Sequence, residues 1–258
     1  MRVIAIANQK GGVGKTTTSI NLSAAVAAAG RPTLLIDIDP QANATSGLGT
    51  EIDPEEGSTS LYQPLLGTAS IESRIRETGR PGLFLVPSEI DLAGAEIELA
   101  RTDSHLSRLR EVLAPLRTAG RFDFCFLDCP PSLGVLMTAA LAAADEVLIP
   151  LQCEWFGLEG LAKIMHVVSE IRSSGANPGL EVEGIVMTML DSRTNLGRQV
   201  VEEVRGHFAD IVYRTVIPRS VRVGEAPSFG RTLAEHDPSG AATAAFHSLG
   251  IEFLRRHA

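Results

Sequence analysis

The sequence predicts an α/β fold: a mostly parallel, twisted sheet with helices on both faces. Three observations point there. Strand-like and helix-like segments alternate from end to end of the 258 residues. The strands are unbroken apolar runs (RVIAIA at 2–7, TLLIDI at 33–38, FDFCFL at 122–127) without polar alternation, as in strands covered on both faces. A glycine-rich turn or a carboxylate follows several of them, at the strand ends where open α/β sheets hold ligands. At 44% hydrophobic residues the chain can fill a core and is too apolar for a disordered protein. No repeat, linker or break in composition appears, so one domain over residues 1–258 is expected.

Each element follows in order. Residues 2–7 form the first strand and residues 8–15 a glycine-rich loop. The Ala-rich stretch 16–29 reads as a helix with Ile20, Leu22 and Val26 apolar, Gly30 as its C-terminal cap and Pro32 as a stop. Residues 33–38 form a second strand ending in Asp37 and Asp39. Residues 40–60 are rich in Gly, Ser, Pro, Asn and acid and read as a long loop, which in a compact domain is usually functional. Two short helical stretches, a strand near 83–86 and a helical region broken around 102–104 come next. Strand 122–127 leads into Asp128. Helix 132–144, strand 146–151, helix 158–173, strand 180–189, helix 193–208, strand 211–217 and a terminal helix at 240–256 complete the chain.

Several function classes are excluded at this stage. The longest apolar run, residues 133–151, carries Asp145 and Glu146, charges that are costly in lipid. The start of the chain lacks the pattern of a secretory signal. The three cysteines (Cys125, Cys129, Cys153) have no CxxC spacing and the six histidines no cluster, so no disulfide framework and no metal centre built on Cys or His is expected. A reduced, cytoplasmic location follows as the default. Net charge is −8, yet residues 193–231 hold seven arginines against four acids, while only three lysines exist: Lys10, Lys15 and Lys163.

Two of those lysines frame the glycine-rich loop. Lys10, Gly11, Gly12, Val13, Gly14, Lys15, Thr16 and Thr17 lie between a strand and a helix. Glycines let backbone N–H groups approach phosphate oxygens, and the helix N-terminus adds partial positive charge. Lys15 is placed for the β- and γ-phosphates and the Thr16 hydroxyl for Mg²⁺. Gln9 stands where the standard G-x-x-x-x-G-K-[ST] pattern has its first glycine, and Lys10 is an additional charge. The strand-end carboxylates Asp37, Asp39 and Asp128 can hold Mg²⁺ or orient a water. A lone strand-end aspartate is as readily a cap or turn residue, but three beside one phosphate loop weigh against that.

KGGVGKTT with its leading lysine resembles the deviant Walker A motif of the ParA/MinD family of P-loop ATPases. DIDPQANATSGLG, FLDCPPSLG, PLQCEWFGLEGL, TMLDSRTNLG and VIPRSVRVGEAPSFG resemble the chromosome-partitioning ParA/Soj branch, in order and over nearly the whole chain. The resemblance implies a single-domain P-loop ATPase using ATP and Mg²⁺. It makes Asp39 the residue that positions the hydrolytic water, Asp128 the Walker B residue and Asp37 a carboxylate that supports Mg²⁺ from behind its ligands. The Pro40–Gly49 loop becomes the first switch and the CPPSLG segment after Asp128 the second. Lys10 would reach the partner's nucleotide across an ATP-sandwich dimer, neutralising transition-state charge in trans. Adenine would lie between Met187 and Thr188 on one side and the Pro218–Arg219 turn on the other.

By the same resemblance Arg193, Arg198, Arg219 and Arg222 form a non-specific DNA-binding patch, since arginine forks onto phosphates without reading sequence. Against this, Arg198 has Glu202 one turn on, the spacing of an ordinary surface ion pair. The late His236-Asp-Pro-Ser-Gly-Ala-Ala segment lacks basic residues the family often carries there. The chain begins at its first strand, so an additional operator-reading domain is not expected. The terminal stretch has Phe246, Leu249, Phe253 and Leu254 at helical spacing with only Arg255 and Arg256 basic, which reads as core, so stable membrane association is not expected. The expected role is a homodimerising, nucleoid-associated partition ATPase, weak until stimulated by DNA and a ParB-type partner. The alternatives are a MinD-like or cargo-positioning ATPase with a membrane or protein-cluster target, and a nucleotide-binding scaffold that does not hydrolyse.

Overall fold

β1 (Arg2–Ile6) lies inside an eight-stranded sheet, with β5 (Phe124–Asp128) on one side and β6 (Glu146–Gln152) on the other. The sheet belongs to a computed structural model that describes residues 1–50, 58–102 and 105–258. The remaining strands are β2 (Thr33–Asp37), β3 (Arg76–Glu77), β4 (Leu83–Val86), β7 (Glu181–Leu190) and β8 (Val212–Pro218). Their spatial order is β3-β4-β2-β5-β1-β6-β7-β8, and every pairing is parallel except β3 with β4. The chain therefore leaves β1 toward one edge and later crosses to the other. That reversal opens a crevice at the carboxyl end of β1, where the glycine loop begins.

The helices are α1 (Lys15–Ala28), α2 (Asn43–Gly47), α3 (Tyr62–Leu66), α4 (Leu92–Leu99), α5 (Arg108–Ala119), α6 (Val135–Ala143), α7 (Trp155–Ser173), α8 (Asn195–Phe208), α9 (Val221–Glu225), α10 (Leu233–His236) and α11 (Ala241–Arg256). Side chains alternate across each strand, so β1 sends Val3 and Ala5 into one apolar layer and Ile4 and Ile6 into the other. Helices α4 to α8 cover the first layer; α1 and α11 cover the second. The stripe of α11 (Phe246, Leu249 and Phe253) is buried there. Gly250 lies so close to α1 that a Cβ on it would come within 2.8 Å of the Ala25 Cβ. No helix among the described residues is long and apolar enough to cross a membrane.

The expected fold class holds, with local differences. The segment expected as loop over residues 40–60 contains α2; residues 51–57 of that segment, and residues 103 and 104 of the expected helix break, lie outside the described residues. Sequence reading missed α2 because Asn, Thr, Ser and Gly disfavour helix and the cap position is Ala42, at φ 53°. The capping group is distant in sequence: Asp37 Oδ2 accepts the Thr45 N–H at 2.9 Å. The two-residue strand β3 is too short to show a period. The helices α9 and α10 also went unread, although α10 carries a visible capping box between Thr232 and Glu235. Helix α7 starts at Trp155, three residues before the expected 158, which puts Trp155 and Phe156 in its first turn.

Candidate nucleotide site

The loop after β1 has Gly12 at φ 75° and Gly14 at φ 88°, backbone conformations that a Cβ would strain. Gly14 is the residue at which α1 starts, and no side chain caps the helix there. The first-turn N–H groups of α1 are thus available to an anion. Lys15 is buried, and its Nζ donates to the Lys10 carbonyl oxygen at 3.3 Å, folding the ammonium back over the loop. Burial lowers its pKa, while the negative field of Asp128 and Asp39 acts the other way. Lys10 itself is held through its backbone: its N–H donates to Asn8 Oδ1 at 3.1 Å, and Asn8 Nδ2 donates to the Pro150 carbonyl at 2.8 Å. The Lys10 ammonium lies 3.8 Å from Glu154, which precedes the first turn of α7.

The three carboxylates gather at the ends of β2 and β5, each in a different role. Asp128 is fully buried and accepts the Ser19 hydroxyl on Oδ1 at 2.7 Å. Its Oδ2 is buried without a hydrogen-bond partner among the described residues. Burial raises its pKa to about 6, opposed by the Ser19 hydrogen bond. Asp37 is also fully buried, and its pKa rises to about 7 through burial and the neighbouring Asp128 charge. Both its oxygens are engaged: Oδ1 accepts the Asp39 N–H at 3.2 Å, and Oδ2 accepts the Thr45 N–H and hydroxyl at 2.9 and 2.8 Å. Asp37 thus ties down the chain between Asp39 and Thr45, with neither oxygen left over for a cation. Asp39 is nearly buried, and its Oδ1 accepts the Gln41 N–H at 2.9 Å. Pro40 follows it into the turn before α2.

The donor set suits Mg²⁺. A magnesium ion takes few protein oxygens and keeps its waters, so it needs an unspent anionic oxygen near phosphates. The unpartnered Oδ2 of buried Asp128 meets that need, with Thr16 in the first turn of α1 as the neutral oxygen.

A cavity of about 240 Å³ opens beside the loop, lined by Gly14, Thr17, Thr18, Thr188, Met189 and the turn that includes Pro218 and Arg219. This is the expected adenine side, with one correction. Met187 does not line it. Strand alternation turns Met187 fully into the core, and Met189, at φ 55°, takes the position at the rim. Thr188 ties the two walls together, its hydroxyl donating to the Val13 carbonyl at 2.9 Å. Thr18 Oγ1 is buried in this wall without a hydrogen-bond partner among the described residues.

The arginines lie at the same carboxyl edge, beyond β7 and β8, and all four are exposed. Arg193 sits in the turn before α8, where its guanidinium forks onto Asp191 at 2.9 and 2.6 Å and holds that carboxyl well below the usual range. Arg222 pairs with Glu225 at 2.8 Å. Arg198 donates to Asn195 Oδ1 at 2.9 Å and does not form the ion pair with Glu202 that its spacing suggested. Arg219 is both a cavity-lining residue and a member of this group. Sequence reading missed Ser19 and Thr45, whose hydroxyls bond Asp128 and Asp37, and Ser88, whose hydroxyl bonds the Asp39 backbone carbonyl; small polar residues carry no signal until the strands are brought side by side.

A family model described as an AAA domain matches residues 1–182. Over 256 residues the chain is 49% identical to the chromosome partitioning protein ParA of Caulobacter vibrioides, covering 99% of this chain and 95% of that one. It is likewise 49% identical, over 92% of each chain, to the sporulation initiation inhibitor protein Soj of Bacillus subtilis. Among solved structures it is similar to a cobyrinic acid a,c-diamide synthase of Mycobacterium smegmatis with bound ATP analogue and magnesium, at 35% identity and a TM-score of 0.84, covering 100% of this chain and 96% of that one. With the glycine loop, its leading lysine and the strand-end carboxylates in place, the chain belongs to the ParA/MinD family of deviant Walker A P-loop ATPases, in its ParA/Soj branch.

Proposed function

We propose that this chain is a partition ATPase that closes into a dimer around two ATP molecules, holds DNA non-specifically in that form, and is released by hydrolysis when a ParB-type partner stimulates it. The observation that carries the reading is the disposition of the two loop lysines. Lys15 is folded into its own loop, whereas the partly exposed Lys10 ammonium turns to Glu154, beside Trp155 and Phe156. Those two aromatics are 67% and 66% exposed at the start of α7. Exposed aromatics beside a cation, on the rim where nucleotide enters, suit a face that a second copy covers.

Within one subunit, the glycine-loop N–H groups and the α1 N-terminus bind the phosphates, and Lys15 neutralises them at close range. Thr16 and Asp128 would hold Mg²⁺, which when bound offsets charge on the phosphate oxygens. Asp39, fixed at its N–H by Asp37, orients the attacking water with its carboxylate. The walls around Thr188, Met189 and Pro218 seat the base and exclude water from one side. Lys10 of each copy faces the other copy's nucleotide, so the grip depends on the γ-phosphate and ends when it is cleaved. The arginines, doubled in the dimer, then lose their joint hold on DNA.

The test is the mass of the Asp39→Ala variant by light scattering under saturating Mg·ATP. A dimer is expected; a monomer under those conditions would remove the mechanism.

A further inference from the structure

We propose that Ser88 is a positioning residue for hydrolysis, acting by fixing the backbone of Asp39; the proposal rests on the water-orienting role given to Asp39 above. Ser88 lies just beyond β4, outside the glycine loop and outside every segment that carried the family resemblance, and it is fully buried.

Its hydroxyl and its N–H both go to the chain that follows β2. The Ser88 hydroxyl donates to the Asp39 carbonyl oxygen at 2.6 Å, and the Ser88 N–H donates to Thr45 Oγ1 at 2.8 Å. Thr45 Oγ1 in turn donates to Asp37 Oδ2 at 2.8 Å, and Asp37 Oδ1 accepts the Asp39 N–H at 3.2 Å. The four hydrogen bonds close a ring through Asp37, Thr45, Ser88 and Asp39. The N–H and the C=O of Asp39 are therefore both members of it, which restricts the direction in which the carboxylate leaves the chain. The residues that follow Ser88 bond the chain again at residues 58–60. Glu89 accepts the N–H and hydroxyl of Thr59, and Asp91 accepts the hydroxyls of Ser58 and Ser60.

The hydroxyl is dispensable for satisfying the buried backbone. Without it the Asp39 carbonyl keeps a second donor, the Ala42 N–H at 2.9 Å, so no acceptor is orphaned. The cost of its removal falls on the aim of Asp39, and displacement of a catalytic group by about 1 Å is enough to lose up to about 10²-fold in rate.

The experiment compares wild type, Ser88→Ala and Asp39→Ala in the full chain, reading kcat and KM for ATP, the equilibrium Kd of a fluorescent ATP analogue, and Tm. For Ser88→Ala the expected result is a fall of about tenfold in kcat, with KM and Kd within about twofold and Tm close to wild type. Wild-type turnover by Ser88→Ala beside an inactive Asp39→Ala overturns the role of Ser88 alone. Wild-type turnover by Asp39→Ala overturns the underlying reading and this proposal with it. A joint loss of turnover and ATP affinity in Ser88→Ala also overturns it, because that is the mark of a collapsed loop. Should Ser88→Ala fail to fold, Ser88→Cys, similar in shape but a poorer donor, is judged by the same criteria.

Discussion

Asp37 and Asp128 occupy the same register position on the adjacent parallel strands β2 and β5, and both are wholly shielded from solvent. Burial makes each bind its proton more tightly than in the unfolded chain, and neighbouring carboxylates (Asp128 for Asp37, Asp39 for Asp128) add to it. Between the unfolded carboxylate range near pH 4 and their folded values of about 7 and about 6, the native state holds more protons. Their contribution to stability is therefore present below about pH 4 and is lost as pH rises toward 7. Glu183, buried beside Tyr213 and also raised to about 7, acts in the same sense. Urea midpoints of the ligand-free protein should fall from pH 5 to pH 7.5, and Asp37→Asn should make that slope shallower.

The two loop lysines should separate binding from turnover. Lys15→Ala removes the buried cation that meets the phosphates, and ATP affinity should fall by about 10²-fold or more, as loss of a charge-assisted bond inside a site implies. Lys10→Ala leaves the loop conformation supported by Asn8. It should keep ATP affinity within a few-fold and still lose turnover. Calorimetric titration with Mg·ATP beside a phosphate-release assay distinguishes the two.

The exposed aromatics should matter only to assembly. Trp155→Ala combined with Phe156→Ala deletes apolar surface that touches little in the single subunit. Thermal stability should change by no more than about 0.5 kcal/mol, the range of surface substitutions away from special features. The ATP-dependent dimer should weaken by tenfold or more in sedimentation velocity.

The ion pairs of Arg193 and Arg222 lie at the surface and are readily exchanged for phosphate contacts. Replacing both by alanine should weaken binding to any duplex equally, whatever its sequence. Each lost phosphate contact lowers the dependence of log K on log salt by about 0.9, so a dimer losing four should show a slope shallower by about 3 to 4. Filter binding from 50 to 200 mM salt measures it; an unchanged slope would refute the patch.

The sheet was legible because its strands are apolar throughout, and the phosphate loop because its chemistry is local: Gly12, Gly14, Lys15 and Thr16 must be contiguous to work. The carboxylate end was half legible. Asp128 announced itself by closing an apolar strand, but the binding of Asp37 to Thr45 depends on a turn led by Ala42, and the part of Ser88 depends on β4 lying next to β2. Met187 faces the core, and Met189, two residues on and of the same strand parity, reaches the cavity rim only through its positive φ, which no residue preference signals. α9 and α10 have so few residues that no apolar period can form.

The single turn of helix at Asn43–Gly47 has a composition that could not sustain it alone. Its order is conditional on the Asp37 carboxyl, at the end of the strand that leads into it. Such a segment sits near the threshold of local melting, although Ala44 and Leu48 seat it on the second apolar layer. Amide exchange there should run far ahead of exchange in the strands, and an event at the strand end has only to loosen one carboxylate to set the whole stretch free.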